Sequence, residues 1–219
     1  MYAGRSVRYP TFGSLFFVPG VGVRSNPELA EERSRDVEAR LAWRSPGGFS
    51  GYMAGFDRRL NGAIVWLPDF RFVWSPRNLP AARVRGAEAA LTWMGGANWE
   101  VSGSWTWAPA RFDFPGNENP LPYRPAHLGR LEVVRSLGPV RASAQAGYTG
   151  ERFPNLAGTN SLAALLLFDL AAAWTRAIRG GELVLDVRLE NVTDGQHEIV
   201  AGYPGAGRTL RAGVTYRVR

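Results

Sequence analysis

The strongest constraint on this chain is a period of two. In "RDVEARLAWR" the apolar residues Val37, Ala39, Leu41 and Trp43 alternate with Asp36, Glu38, Arg40 and Arg44. In "WEVSGSWTW" Trp99, Val101, Trp105 and Trp107 alternate with Glu100, Ser102, Ser104 and Thr106. "VRASAQAGYT", "ELVLDVRLE" and the closing "TLRAGVTYRV" repeat the pattern. Successive side chains of a strand point to opposite faces, so this spacing builds two-faced strands, whereas a helix needs apolar spacings of three and four. The expected fold is all-β and antiparallel.

Ten strands are expected, near 1–8, 33–44, 49–67, 84–93, 98–109, 124–135, 139–150, 161–175, 181–190 and 208–218. The connections decide what the strands build. "SPGG" (45–48), "MGGAN" (94–98), "SLGP" (136–139) and "RAIRGG" (176–181) are Gly/Pro turns, and they alternate with longer stretches at 9–32, 68–83, 110–123, 151–160 and 191–207. In an up-and-down barrel this alternation puts every short turn at one rim and every long loop at the other, the outer-membrane arrangement. A Greek-key sandwich has no reason to alternate so regularly. The third strand exceeds a bilayer crossing and is expected to project beyond it. Trp43, Trp93, Trp99 and Trp174 lie close to short turns, as expected of aromatics at a membrane–water interface; ordinary strand propensity is the competing reading. Trp105, Trp107 and Trp66 then approach the opposite rim. An arginine facing lipid near mid-bilayer costs about 2–4 kcal/mol, so Arg58 and Arg130 are expected to face the lumen or a rim.

Composition excludes several alternatives. All 26 basic residues are Arg, the net charge is +7, and the charge is scattered and mixed with Asp and Glu. Nucleic-acid binders gather theirs into one patch, so no nucleic-acid partner is expected. There is no Cys, hence no disulfide or thiol chemistry. "YAGRSVRYPTF" after Met1 has no apolar core of a secretory signal. "LAALLLFDLAAAW" (162–174) is too short for a membrane helix and carries Asp169. His127 and His197 have no partner at metal spacing, and no nucleophile elbow or phosphate loop occurs. No enzyme activity, metal or cofactor is expected.

The residues resemble the C-terminal half of the barrel of TonB-dependent outer-membrane receptors. Asn191 and Asp194 match that family's Asn-x-x-Asp turn, and "GYPGAGR", with Gly202, Tyr203, Gly207 and Arg208, matches its Gly-Tyr-x-x-x-Gly-Arg loop before the last strand. "RYPTFGSLF" with "NPELAEERS", then "VRGAEAALTW" and "LPYRPAHLGRLEV", follow in the family's order. The chain departs from the pattern at His197, where an aromatic is usual, and ends "YRVR" where many members end on Phe. The resemblance implies an outer-membrane receptor for a scarce nutrient such as an iron–siderophore or cobalamin, whose plug domain couples to the TonB complex. The expectation is a partial barrel over 1–219, without plug or signal peptide, belonging to a wall of about 22 strands. Outer-membrane lipid and a small nutrient ligand are the expected partners.

In "DFRFVWSPRN" Phe70, Phe72 and Trp74 interleave with Arg71 and Arg77, a composition suited to an anionic, partly apolar ligand, since Arg pairs bidentately with carboxylates. The same residues also read as strands extended above the membrane. Two other functional classes stay open: a passive pore or structural barrel closed by these strands alone, and a soluble all-β binding module.

Overall fold

The computed structural model describes residues 1–16 and 20–218. Residues 17–19 of the expected 9–32 connection, and the final arginine of "YRVR", lie outside the described residues. The strands are β1 (Tyr2–Arg8), β2 (Glu32–Arg44), β3 (Phe49–Pro68), β4 (Trp74–Gly95), β5 (Trp99–Trp107), β6 (Ala110–Phe112), β7 (His127–Leu137), β8 (Val140–Thr149), β9 (Leu165–Ile178), β10 (Gly181–Glu190), β11 (Glu198–Val200), β12 (Tyr203–Pro204) and β13 (Thr209–Val218). Each long strand pairs antiparallel with its neighbour in the order β1-β2-β3-β4-β5-β7-β8-β9-β10-β13, an all-β meander. β6 attaches to β4, and β11 and β12 form a separate small hairpin. Among the described residues no ladder joins β1 to β13.

Three features differ from the sequence reading. The connection expected at 68–83 is mostly strand: β4 starts at Trp74, and only the turn 69–73 separates it from β3. Pro76 and Pro80 concealed this, because proline donates no hydrogen bond to a ladder. The register nonetheless runs unbroken from Phe49↔Trp93 to Pro68↔Trp74, skipping only the Gly62–Pro80 position. Tolerance of Pro76 follows from its place beside a strand end covered by loop: Trp74 donates to the Gly22 carbonyl, and Asn26 Nδ2 donates to the Pro76 carbonyl at 3.0 Å. A short helix, α1 (Phe12–Phe16), occupies the first connection, and β6 and the β11–β12 hairpin occupy connections expected to be loop.

Register sorts the sheet into two chemically opposite faces. One lateral row reads Trp93, Val101, Val133, Ala144, Leu170, Leu189 and Leu210. The row on the opposite face reads Thr92, Ser102, Glu132, Gln145 and Asp169. The sheet is a single layer, so its apolar face stays uncovered by the chain itself: Leu41 is 69% exposed and Val214 73% exposed. A water-soluble monomer rarely leaves an apolar surface this wide. The short turns close by glycine chemistry. Gly48, at φ 81°, ends the "SPGG" turn, and a Cβ there would lie 2.3 Å from the Met94 carbonyl oxygen. Only glycine lets the 45–48 turn pack this closely against the end of β4.

Candidate membrane face and ligand-facing rim

The apolar face has a measurable height. On β3 and β4 it runs from Phe49↔Trp93 to Gly55↔Ala87, and the next pair, Asp57↔Arg85, is charged. From Phe49 to this first charged pair at Asp57 the strand runs nine residues, roughly 26 Å along its length, in keeping with the ~9–11 residues of a tilted transmembrane strand. On β9 the same span runs from Trp174 to Leu166. At the short-turn end stand Trp43, Trp93, Trp99 and Trp174, all on the apolar face by register. Phe49 stacks on Trp93 with centroids 6.0 Å apart, and the Arg135 guanidinium lies 4.7 Å from the Trp99 ring centroid. At the other end Trp105 stacks on Tyr148 at 5.4 Å, with Trp107 and His127 opposite each other beside them. Trp66 lies higher, within the β3–β4 arm.

The polar face carries complementary charges. Arg58, one of the two arginines of concern, pairs with Asp36 there. The other, Arg130, donates to Gln145 Oε1 at 2.8 Å and to Glu132 at 3.3 Å. Arg141 meets Glu100 at 3.4 Å, Arg217 meets Glu182 at 3.4 Å, and Arg211 meets Glu190 at 3.0 Å. Arg40 covers the Tyr52 ring at 3.6 Å. Both central arginines thus avoid lipid by facing the side where carboxylates and amides receive them.

At the long-loop rim the chain from β10 to β13 is organised by one buried amide. Asn191 is 4% exposed and sits at φ 49°. Its N–H donates to Asp169 Oδ1 at 2.9 Å; its Nδ2 donates to the carbonyls of Gly195 at 3.1 Å and Ala206 at 3.2 Å. Its Oδ1 accepts the Gly195 N–H at 3.0 Å. Asp194 completes the clamp by accepting the Arg208 N–H at 2.7 Å, with Gly207 packed beside the same carboxylate. Gly202, at φ 80°, and Tyr203, 72% exposed, form the outer end of this loop. His197 lies over Gly205, where a Cβ would come 2.2 Å from Nε2. The adjoining loop is pinned by reciprocal backbone bonds between Arg152 and Leu162, and the buried Arg152 side chain donates to the Glu198 carbonyl at 2.8 Å. The 191–207 loop and the start of β9 border an open hollow of about 840 Å³ whose lining includes Ser161, Leu165, Leu167, Gln196, His197 and Glu198. The sequence marked one wall, through Asp194, His197 and Gly207, but not the other at Ser161–Leu167, because the two lie about thirty residues apart and are held together by the bonds of Asn191, Val192 and Arg152.

The aromatic–arginine stretch sits at the tip of the β3–β4 arm. Asp69 orders the turn by accepting the Arg71 N–H at 2.8 Å and the Val73 N–H at 3.0 Å. These bonds hold its carboxyl below the usual carboxylate range, Val73 contributing most. Phe70 is 84% and Phe72 81% exposed, and Arg71 lies 5.0 Å from the Phe70 ring centroid. Trp74 and Arg77 are strand residues opposite Pro68 and Val65, and their register puts them on opposite faces of the arm. Phe70, Arg71 and Phe72 therefore gather at the tip; Trp74 stands on one side below them and Arg77 on the other.

A two-faced meander with an apolar band of bilayer height, an aromatic rim and a charge-paired opposite face defines a membrane β-barrel wall. The family model described as "TonB dependent receptor-like, beta-barrel" matches residues 2–194, and the chain belongs to that family. Among solved structures, the copper transporter OprC superposes with a TM-score of 0.76 at 18% identity, over 97% of this chain and 36% of that one. A mutant of the ferric enterobactin receptor PfeA from Pseudomonas aeruginosa gives 0.72 at 16%, over 97% and 37%. The ferric citrate transporter FecA gives 0.67 at 18%, over 82% and 30%. These likenesses show the shared fold, and the chain spans little more than a third of the length of such proteins. No curated protein matches the sequence. The family is one of receptors rather than enzymes.

Proposed function

We propose that this chain forms part of the barrel wall of an outer-membrane, TonB-dependent receptor that imports a scarce nutrient. The observation that carries the reading is the combination of an apolar, bilayer-high face with a charge-paired polar face in one continuous sheet. The first meets lipid, with Trp43, Trp93, Trp99 and Trp174 at the periplasmic interface; the second lines the lumen. Among the described residues β1 and β13 share no ladder, and the chain superposes on about a third of OprC and PfeA, which favours a larger barrel of about 22 strands over a ten-strand pore closed on itself. The similar structures include a ferric enterobactin receptor, a copper transporter and a ferric citrate transporter, which favours a metal ion or its anionic chelate, an iron–siderophore foremost, with the cobalt corrin cobalamin as the second candidate. The tip residues Phe70, Arg71 and Phe72, with Trp74 and Arg77 below them, offer rings and guanidinium groups to such a chelate. Asn191, Asp194, Gly202, Tyr203, Gly207 and Arg208 shape the closing loop beside the 840 Å³ hollow. Coupling to TonB runs through a plug inside the completed barrel.

The test is uptake by a strain lacking the gene, across a panel of labelled ferric chelates and cobalamin. Loss of uptake for one class, with the same dependence on the inner-membrane proton gradient, supports the reading. Undiminished uptake, or uptake that persists after the gradient is collapsed, contradicts it.

A further inference from the structure

Just above the apolar band, five arginines stand side by side. Register pairs Arg5 with Arg35, Arg35 with Arg59, Arg59 with Arg83, and Arg83 with Arg111, so the row crosses β1, β2, β3, β4 and β6. All five share the face that carries Val37, Leu41 and Trp43 lower down. At about 4.8 Å per strand the row is roughly 19 Å long. Arg33 and Arg85 flank it on the same face.

Like charges directly opposite one another in a sheet are destabilising. On the polar face Arg58, Arg130, Arg141, Arg188, Arg211 and Arg217 each meet a carboxylate; here the answer is incomplete. Asp57 serves Arg83, reaches Arg85 at 3.2 Å and lies 4.0 Å from Arg59, while Glu31 serves Arg33 at 2.7 Å. Asp113 and Glu118 line a hollow of about 220 Å³ with Arg83, Arg85 and Arg111. Seven arginines thus face four carboxylates. Arg5, Arg35 and Arg111 make no ion pair among the described residues, and Arg111 donates only to the Glu118 carbonyl, at 3.3 Å.

Height identifies the missing anion. On β2 the face reads Trp43, Leu41, Ala39, Val37 and then Arg35, about 26 Å along the strand from the tryptophan rim. The row therefore lies at the outer edge of the hydrocarbon, on the long-loop side, where lipid headgroups begin. We propose that it is a docking surface for the phosphate groups of anionic lipid in the outer leaflet. A guanidinium fork binds phosphate bidentately and is weakly hydrated, which suits it to this depth. The row is confined to the β1–β4/β6 sector: on β5 and β7 the upper rim carries Trp107 and His127 instead. Lipid phosphate gathers on one side of the barrel, beneath the β3–β4 arm.

This inference rests on the membrane reading above, and the experiment separates the two. The receptor carrying this chain is first located by fractionation, then extracted and assayed for retained lipid phosphate. The variant replaces three arginines, as Arg35→Gln, Arg59→Gln and Arg111→Gln; the control alters the polar face, as Arg188→Gln and Arg211→Gln. At about 1 kcal/mol per arginine near a charged surface, binding weakens about fivefold per arginine removed, while the control keeps its lipid. Folding is checked independently by unfolding in vesicles. In phosphatidylcholine alone the triple variant is the more stable, because like-charge repulsion has been relieved. With bisphosphorylated lipid A added, the wild type becomes the more stable, and lipid A stripped of its phosphates does not produce the reversal. Unchanged lipid retention by the triple variant, or the absence of a reversal, overturns the docking surface alone. A receptor missing from the membrane fraction overturns both readings.

Discussion

Placing a single arginine at successive positions along β8 tests the two-faced wall most sharply. Val140, Ala142, Ala144, Ala146 and Tyr148 occupy the apolar face; Arg141, Ser143, Gln145, Gly147 and Thr149 occupy the polar one. Val140 lies opposite Trp174 at the short-turn rim, and Tyr148 lies opposite Leu166 near the other rim. Ala144 is midway, about 13 Å along the strand from either, flanked by Val133 and Leu170. An arginine facing lipid costs about 2–4 kcal/mol at the midplane and about 0–1 kcal/mol at the interfaces. Ala144→Arg is therefore expected to shift the folding equilibrium by about 30- to 900-fold. Ala142→Arg and Ala146→Arg cost less, and Val140→Arg little. Ser143→Arg, one residue from Ala144 but facing Val134 and Ala171 on the polar side, falls in the small range of surface changes, about 0.5 kcal/mol. The assay is urea unfolding of the protein in phospholipid vesicles, followed by tryptophan fluorescence. A soluble core would also reject Ala144→Arg, but it has no reason to yield a cost that peaks at the centre and fades toward both rims. A flat profile along the apolar face, or equal costs at Ser143 and Ala144, refutes the reasoning.

Other perturbations test the rim. Asn191→Ala removes three side-chain hydrogen bonds and leaves the carbonyls of Gly195 and Ala206 short of a partner, at about 1–3 kcal/mol per orphaned group; the 191–207 loop should become cleavable by protease while the strands stay protected. Asp69 has a depressed folded carboxyl, so its contribution is present above the unfolded value near 3.9 and is lost as pH falls through the lower folded value. Protection of the Arg71 and Val73 amides from exchange should thus hold from neutral pH to about 4 and vanish below; Asp69→Asn should weaken it at every pH, and a loss centred near neutrality would contradict the assignment. Gly48→Val forces a β-branched residue to φ 81° against the Met94 carbonyl, a strain of about 1–3 kcal/mol that should lower the folded fraction on heat-modifiable electrophoresis.

Much of the sheet could be read from the sequence because its two solvents leave opposite marks on alternate residues. "VRASAQAGYT" and "ELVLDVRLE" carry the whole argument for β8 and β10 in their spelling. The β3–β4 arm was hidden because it lies beyond the apolar band, where the apolar signal stops at Asp57↔Arg85 and Pro76 and Pro80 read as loop. The pairing register nevertheless continues past both prolines, omitting only the Gly62–Pro80 position. The Ser161–Leu167 wall of the 840 Å³ hollow was hidden for another reason: it is held to the other wall by the bonds of Asn191, Val192 and Arg152, which have no period. The arginine row escaped notice because its members are twenty to thirty residues apart and become neighbours only through register.

The central claim is that one face of this sheet meets lipid and the other water. The chain contains no cysteine, so single cysteines introduced along β10 report their surroundings without background. Spin labels at Leu183→Cys, Leu185→Cys, Val187→Cys and Leu189→Cys should collide with oxygen dissolved in the bilayer. Labels at Glu182→Cys, Val184→Cys, Asp186→Cys and Arg188→Cys should collide with a water-soluble nickel chelate. The account predicts a strict period-two alternation with the two accessibilities out of phase. Accessibilities that rise and fall together, or alternate in the opposite sense, contradict it.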